Sequence, residues 1–229
     1  MASIYDKASL VLIPSGTKTS KVYSQKPTNG DGDFTFSRST AATRVNASGN
    51  IEKETGNLLT YSNDFSQWVS NNTSETSGQA GYDGTNDAWL VNITGATSSQ
   101  RIEKDYTLSG IQTLSVYAKA GSLNWVRLLN LGGSAKTTYF DLSNGVVGSS
   151  TAIDANIESV GNGWYRCSMV INESATRFRI YPATDDGNIT QSSGNIYIQD
   201  AQVNQGLIAQ EVITTTTTAI YGGITDNVP

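Results

Sequence analysis

No histidine occurs among the 229 residues of this chain, and that absence excludes several kinds of active site at once. Ser-His-Asp triads, Cys-His pairs, imidazole bases and His-ligated zinc all need the missing residue. With one cysteine, Cys167, an intrachain disulfide is impossible, which is typical of a protein assembled in a reducing cytoplasm. The apolar stretch at residues 10–13 is too short for a signal-peptide core or a membrane span, so we predict no membrane insertion.

Positive charge and helical periodicity are scarce as well. The net charge is −5 and the fifteen Lys and Arg residues are dispersed, so we do not predict nucleic acid as a partner. Ala, Leu, Glu and Lys do not recur with a 3.6-residue spacing over three turns. Short runs rich in Val, Ile, Tyr, Trp and Thr instead recur between Gly and Asn clusters, which predicts an all-β protein.

Seven strand-like runs and the turns between them predict a jelly-roll β-sandwich. Within one run Cys167 and Met169 alternate with Arg166 and Ser168, so one side of that strand faces a core. Cys167 is accordingly predicted to be a buried structural thiol. The predicted runs are Thr113–Lys119, Asn124–Leu131, Thr137–Leu142, Asn156–Val160, Gly163–Ile171, Thr176–Pro182 and Asn195–Val203.

The two ends of the chain differ from this middle part. Residues 1–56 hold two short strand candidates, Ser9–Ile13 and Lys21–Ser24, with too little apolar material to close a core alone. We predict that this segment is an assembly and docking arm, that residues 57–213 are the jelly roll, and that residues 214–229 are a Thr-rich linker and return segment. The Asn-Val-Pro ending indicates that the natural chain continues or is processed there.

Several motifs resemble bacteriophage structural proteins. The segments Val22–Phe34 and Ser37–Asn46 resemble the N-terminal arm of such proteins, while Asn57–Ser62, Val160–Cys167 and Ile196–Gln202 resemble the accompanying carbohydrate-binding-module-like (galactose-binding-like) sandwich. The resemblance implies a virion structural protein, a head or tail fibre or other surface appendage.

A protein of that kind is assembled in the bacterial host cytoplasm and displayed on the virion surface. It contacts other virion proteins, and the resemblance favours a homotrimer. It also implies that the sandwich is inserted between the arm and residues 224–229, so that arm and tail would pair. Our first hypothesis is therefore a fibre or appendage subunit that docks through its arm and performs no catalysis.

A host glycan or receptor-binding module is the alternative. Such a module stacks sugar rings on exposed aromatic side chains, and packing within the protein is the competing interpretation for the same residues. The ligand-binding candidates are Trp125, Tyr117, Tyr139 and Trp89.

A structural calcium ion and a polysaccharide depolymerase are two further possibilities. By the resemblance, Asp200 and Asp64 take the positions of calcium ligands in sandwiches of this kind, although Gln199 replaces an acid that relatives carry. Glycan hydrolysis would need two carboxylates about 5 to 9 Å apart. The acids available for it are Asp83, Asp87, Asp105, Asp141, Glu158, Asp185 and Asp186.

Overall fold

The computed structural model describes residues 8, 10–18, 21–26, 34–35, 43–45, 51–53, 56–95 and 99–220. The chain divides into two units, one of residues 1–55 with 221–229 and one of residues 56–220. Among the residues described, no helix has the length and apolar character needed to cross a membrane.

The first unit contains short antiparallel strands. Strands β1 (Val11–Lys18), β2 (Lys21–Lys26) and β3 (Phe34–Thr35) form one sheet, and β4 (Thr43–Val45) pairs with β5 (Ile51–Lys53). The strand candidate Ser9–Ile13 overlaps β1, and the candidate Lys21–Ser24 lies within β2. The predicted pairing of the arm with residues 224–229 lies outside the described residues, and the docking role of the arm stays a prediction.

The second unit is built from two six-stranded antiparallel sheets. Sheet I has the order β14-β15-β10-β17-β8-β7 and sheet II the order β13-β12-β11-β16-β9-β6. The strands are β6 (Val69–Asn71), β7 (Thr73–Gln79), β8 (Ala88–Ile93), β9 (Arg101–Leu108), β10 (Ile111–Ala120), β11 (Trp125–Gly132), β12 (Lys136–Asp141), β13 (Val146–Ser150), β14 (Asp154–Gly161), β15 (Trp164–Asn172), β16 (Ala175–Ala183) and β17 (Asn195–Gln205). A short 3-10 helix, Phe65–Gln67, precedes β6.

Successive strands repeatedly cross from one sheet to the other, as in a jelly roll: β8 lies in sheet I, β9 in sheet II and β10 in sheet I again. The alternating apolar side chains of both sheets meet in one core. It includes Leu114, Val116, Val126, Leu128, Phe140, Cys167, Met169, Phe178, Ile180, Ile196 and Ile198. The predicted all-β class and β-sandwich architecture are confirmed, and all seven predicted strands are present.

Cys167 faces this core and is completely buried. Burial raises the pKa of its thiol, because the charged thiolate would lose its hydration. The thiol is therefore structural, as predicted.

The beginning and the end of the second unit run side by side. The backbone N–H groups of Asn57 and Ile220 each donate to the other residue's carbonyl at 2.8 Å. Thr215, 4% exposed, donates its hydroxyl to the Leu59 carbonyl at 2.5 Å, and its N–H donates to Ser62 Oγ at 2.8 Å. The predicted sandwich boundary after residue 213 thus falls inside this unit, and the Thr-rich segment belongs to the sandwich as far as Ile220.

Candidate functional site

The outer face of sheet II carries a cluster of arginine and aromatic side chains, here called the arginine face. Its members are Arg101, Arg127, Arg177, Arg179, Glu103, Trp125, Tyr139 and Tyr181. Strand alternation puts them there: Phe178 and Ile180 of β16 are buried in the core, so Arg177, Arg179 and Tyr181 project to the other side. The sandwich unit has five arginines, and four of them lie on this face.

A row of three side chains crosses the centre of the arginine face. Arg127 of β11 stands opposite Tyr139 of β12 on one side and opposite Tyr181 of β16 on the other. The guanidinium carbon lies 5.5 Å from the Tyr139 ring centroid and 4.9 Å from the Tyr181 centroid. Two aromatic rings thus hold one cation by cation–π contacts, a geometry that keeps the guanidinium in place.

Arg127 makes no ion pair with any residue in the described part of the chain. Its Nε donates to Thr137 Oγ1 at 2.7 Å, and its two terminal nitrogens find no acceptor among those residues. The side chain is partly exposed. Arg127 therefore presents a fixed positive charge with unused donors.

The other three arginines converge on one buried carboxylate, Glu103 of β9. Glu103 Oε2 accepts from Arg101 Nε at 2.7 Å and from Arg179 Nε at 2.6 Å, and Oε1 lies 3.1 Å from Arg177 Nη1. Burial alone would raise the pKa of Glu103, but the hydrogen bond from Arg101 and the three positive charges outweigh it and hold the pKa below its usual range. Glu103 stays ionised at neutral pH and holds the arginines together.

Two of the four predicted sugar-binding aromatics, Trp125 and Tyr139, lie on the arginine face. They occupy neighbouring strands, with Trp125 one row along β11 from the row that contains Tyr139. The indole ring of Trp125 lies against Gly148, where a Cβ would come within 2.6 Å of the ring. Trp125 is partly exposed and so remains accessible to a ligand, whereas Tyr139 is 7% exposed and packs against Arg127.

The other two predicted aromatics lie elsewhere. Trp89 packs against Phe65 beside the core and donates its Nε1 hydrogen to the Asn63 carbonyl at 2.9 Å. Tyr117 is on the outer face of sheet I and is 8% exposed, because Tyr82 stacks on it. Both residues therefore pack within the protein, which was the competing interpretation for them.

Sequence reasoning did not select Arg127, Tyr181 or Glu103. A signal was present, since Arg177 and Arg179 alternate with Phe178 and Ile180 in the predicted strand. The partners of these arginines could not be identified, because Glu103 is more than seventy residues away along the chain and its strand was not predicted.

The calcium candidates Asp200 and Asp64 are not joined by a shared contact. Asp200 is the extra residue of a β-bulge in β17, with a positive φ of 50°. Its N–H donates to Asn63 Oδ1 at 3.1 Å, and its carboxylate accepts from the Tyr82 hydroxyl at 3.1 Å. Asp64 instead accepts from Ser66 Oγ at 2.6 Å.

The surroundings of Asp200 do not fit an oxygen-lined cation site. The Gln199 amide nitrogen donates to Asp87 at 2.7 Å and to Asp83 at 3.3 Å, and so places a donor between those carboxylates. Within the described ranges, no three Asp, Glu, Cys or His side chains are placed to share a metal ion. Calcium binding stays a prediction.

Several of the acids considered for glycan hydrolysis have structural partners, although no described residue pairs with the side chain of Glu158. Asp105 pairs with Arg177, Asp141 accepts four hydrogen bonds from Ser143 and Asn144, and Asp186 accepts from Ser149. Asp200 has the raised pKa of a general acid, yet it is 6% exposed and lies beneath Tyr82. This arrangement supplies no open carboxylate pair at Asp200.

A concave region lies on the outer face of sheet I. The segment 206–213, here called the strap, crosses this face and is tied to it by side-chain amides of Gln202 and Asn204. A cleft of about 240 Å³ opens beside the strap, lined by Asp154, Glu158 and Arg166 among others. Arg166 donates hydrogen bonds to the strap carbonyls of Ala209 and Gln210, so its guanidinium holds the strap against the sheet.

Comparisons with known proteins add likenesses of fold. No family model matches the chain, and no curated protein matches it significantly. The CBM22-1–GH10 modules of Clostridium thermocellum xylanase 10B, complexed with xylohexaose, are similar at TM-score 0.40 and 16% identity, covering 67% of this chain and 28% of that one.

Two other solved structures are similar to the same extent. The enzymatically active domain of bacteriophage CBA120 tailspike protein 4 gives TM-score 0.38 and 12% identity over 66% of this chain and 21% of that one. TmCBM61 in complex with beta-1,4-galactotriose gives TM-score 0.38 and 11% identity over 66% of this chain and 99% of that one. These likenesses assign no function to this chain.

Proposed function

We propose that this chain is a bacteriophage virion surface protein whose sandwich, residues 56–220, binds glycan of the host cell. The resemblance of the arm and sandwich motifs to phage structural proteins supports the virion role. The observation that carries glycan binding is the partly exposed guanidinium of Arg127, held between the buried rings of Tyr139 and Tyr181, with the partly exposed Trp125 one row away. Aromatic rings and a free guanidinium on a rigid sheet are groups that hold sugar rings and their polar substituents.

The meeting of the sandwich ends supports display of the sandwich as a separate module. Asn57 and Ile220 form a β-bridge, so the polypeptide enters and leaves the sandwich at one place. Many copies of such a module on one particle would compensate for weak single sites. A homotrimeric virion subunit belongs to this proposal, and sedimentation of the purified protein tests it.

Removal of the sandwich tests the virion role and the binding role separately. Replacing residues 57–220 by a short Gly-Ser linker should leave particle assembly intact, because the two ends of the module are adjacent. The particles should still contain the shortened protein but adsorb poorly to host cells. Particles that lack the shortened protein argue against docking through the arm, whereas normal adsorption argues against glycan binding.

A direct binding measurement tests the site itself. The Trp125→Ala variant should weaken binding of the purified protein to host-surface polysaccharide about tenfold, in line with loss of the accessible aromatic contact of the site. The matched control is Tyr197→Ala, which removes a partly exposed tyrosine from sheet I. Equal affinity of the two variants would contradict binding at the arginine face. If incubation with the protein produces new reducing ends in the polysaccharide, the depolymerase function is favoured instead.

A further inference from the structure

The arginine face gathers four guanidinium groups of a chain whose net charge is −5. Glu103 and Asp105 engage Arg101, Arg177 and Arg179, whereas Arg127 has no carboxylate partner among the described residues. Two more carboxylates lie near Trp125 and bind elsewhere: Asp141 accepts from its own turn, and Asp186 accepts from Ser149. A neutral sugar would not need this charge, whereas an anion could form charge-assisted hydrogen bonds with the partly exposed guanidinium of Arg127.

We infer that the arginine face binds an acidic polysaccharide, one that carries carboxylate groups, and that Arg127 holds one of those carboxylates. This inference rests on the proposed glycan binding and names the class of glycan. A guanidinium matches a carboxylate with two parallel N–H···O bonds, and the two terminal nitrogens of Arg127 are the donors that no described residue uses.

The neighbours of Arg127 make it a prearranged site. Tyr139 and Tyr181 flank its guanidinium, and Thr137 Oγ1 holds its Nε, so little side-chain freedom is lost when an anion binds. Arg179 lies on the adjacent strand one row away, a diagonal distance of about 7 to 8 Å. Trp125, one row in the other direction along β11, offers an aromatic surface for an adjoining sugar ring.

Affinity electrophoresis with a matched pair of polymers tests the inference. Polygalacturonate carries one carboxylate per sugar, and its fully methyl-esterified form has the same backbone without the charge. Polygalacturonate in the gel should retard the wild-type protein, and the esterified polymer should retard it at least about tenfold less, the effect of a charge-assisted hydrogen bond. Dextran sulfate and unmodified dextran form a second pair that separates carboxylate from sulfate recognition.

Two variants locate the site. Arg127→Gln removes a charge outside the Glu103 network, so the fold is kept, and it should abolish most of the retardation by polygalacturonate. Arg127→Lys keeps the charge but not the paired donors and should retain only part of it. The matched control is Lys119→Gln, which removes one positive charge from sheet I and should bind as the wild type does.

Each other outcome overturns a defined part of the proposal. Equal retardation by the acidic and esterified polymers refutes acidic specificity and leaves glycan binding intact. If neither polymer retards the protein while it still binds host polysaccharide, binding of an acidic polysaccharide is refuted and glycan binding stands. Equal retention by single-stranded DNA of similar charge would show general polyanion binding, and equal loss in Arg127→Gln and Lys119→Gln would show that the site is not at Arg127.

Discussion

The phenol rings of Tyr82 and Tyr117 lie parallel, with their centroids 3.7 Å apart and 8° between their planes. Tyr82 comes from the connection between β7 and β8, and Tyr117 from the middle of β10 in sheet I. Trp164 contacts the edge of the pair, with its centroid 6.4 Å from that of Tyr82. The connection thus covers aromatic surface that the strand alone would leave open to water.

Removing the Tyr82 ring should therefore destabilise the sandwich. We expect Tyr82→Ala to lower the free energy of unfolding by about 2 kcal/mol, through lost burial and lost ring stacking. Tyr82→Phe keeps the stack and loses only the hydroxyl that donates to Asp200, so its effect should be smaller. Urea unfolding measures both, and equal losses for the two variants would show that the stack contributes nothing.

Asp200 should make stability depend on pH. Burial, with the charges of Asp87 and Asp83, raises the pKa of Asp200 to about 6, against the opposing hydrogen bond from Tyr82. A folded-state pKa above the unfolded one favours folding at low pH, so this contribution is lost as the pH rises from about 4 to about 6. It amounts to at most about 3 kcal/mol.

The Asp200→Asn variant should not show that decline. Asn cannot ionise and tolerates the positive φ of this position, so the variant should be the more stable protein at pH 7. Urea unfolding between pH 4 and pH 7 compares the two. A wild-type unfolding temperature that rises with added calcium, and does not rise in Asp200→Asn, would instead support the calcium site predicted from the sequence.

Glu103 should be the most sensitive residue of the arginine face. Glu103→Gln leaves three guanidinium groups without their shared carboxylate, and we expect a loss of about 3 to 5 kcal/mol in the free energy of unfolding. Since its pKa is lowered in the folded state, the stabilisation by Glu103 is present at neutral pH and is lost on acidification.

An exposed acid of the same network provides the control for Glu103. Asp105→Asn removes a carboxylate whose side chain is 72% exposed, and it should change stability by less than about 1 kcal/mol. Thermal unfolding at neutral and acidic pH measures both variants. Similar losses for the two, or a Glu103→Gln loss that persists unchanged in acid, would contradict the central role of Glu103.

Thr215 should anchor the end of the sandwich. Thr215→Val keeps the shape of the side chain but leaves the Leu59 carbonyl without its donor, which should cost about 1 to 2 kcal/mol. Thr217→Val, at an exposed position of the same threonine run, should have almost no effect. Hydrogen exchange of the Ser62 amide, which donates to Thr215, should quicken only in the first variant.

Strands whose two sides differ in polarity could be predicted from the sequence. β15 and β16 alternate apolar and polar residues because one side meets the core and the other meets solvent. β7, with the sequence TSETSGQ, was missed because it is an edge strand without a buried side chain. Edge strands are specified by pairing with a neighbour rather than by their own pattern.

The candidate site, like the strands, could be predicted from the sequence only in part. Trp125 and Tyr139 could be selected because aromatics in strands suggest stacking, and the structure puts both on one face, where Trp125 is partly exposed and Tyr139 is buried. Tyr117 has the same local pattern, yet a residue thirty-five positions earlier covers it. Side-chain type and alternation are local properties, whereas cover and charge pairing depend on contacts between distant segments.

Cys167, sealed in the core, has a practical consequence for measuring these interactions. A maleimide reacts with thiolate at the surface, and this chain offers none under native conditions. A cysteine introduced at Val146, which is 53% exposed at the edge of sheet II, would therefore be the single reactive thiol. A fluorophore attached there would report ligand arrival beside Trp125 without any need to alter the native cysteine.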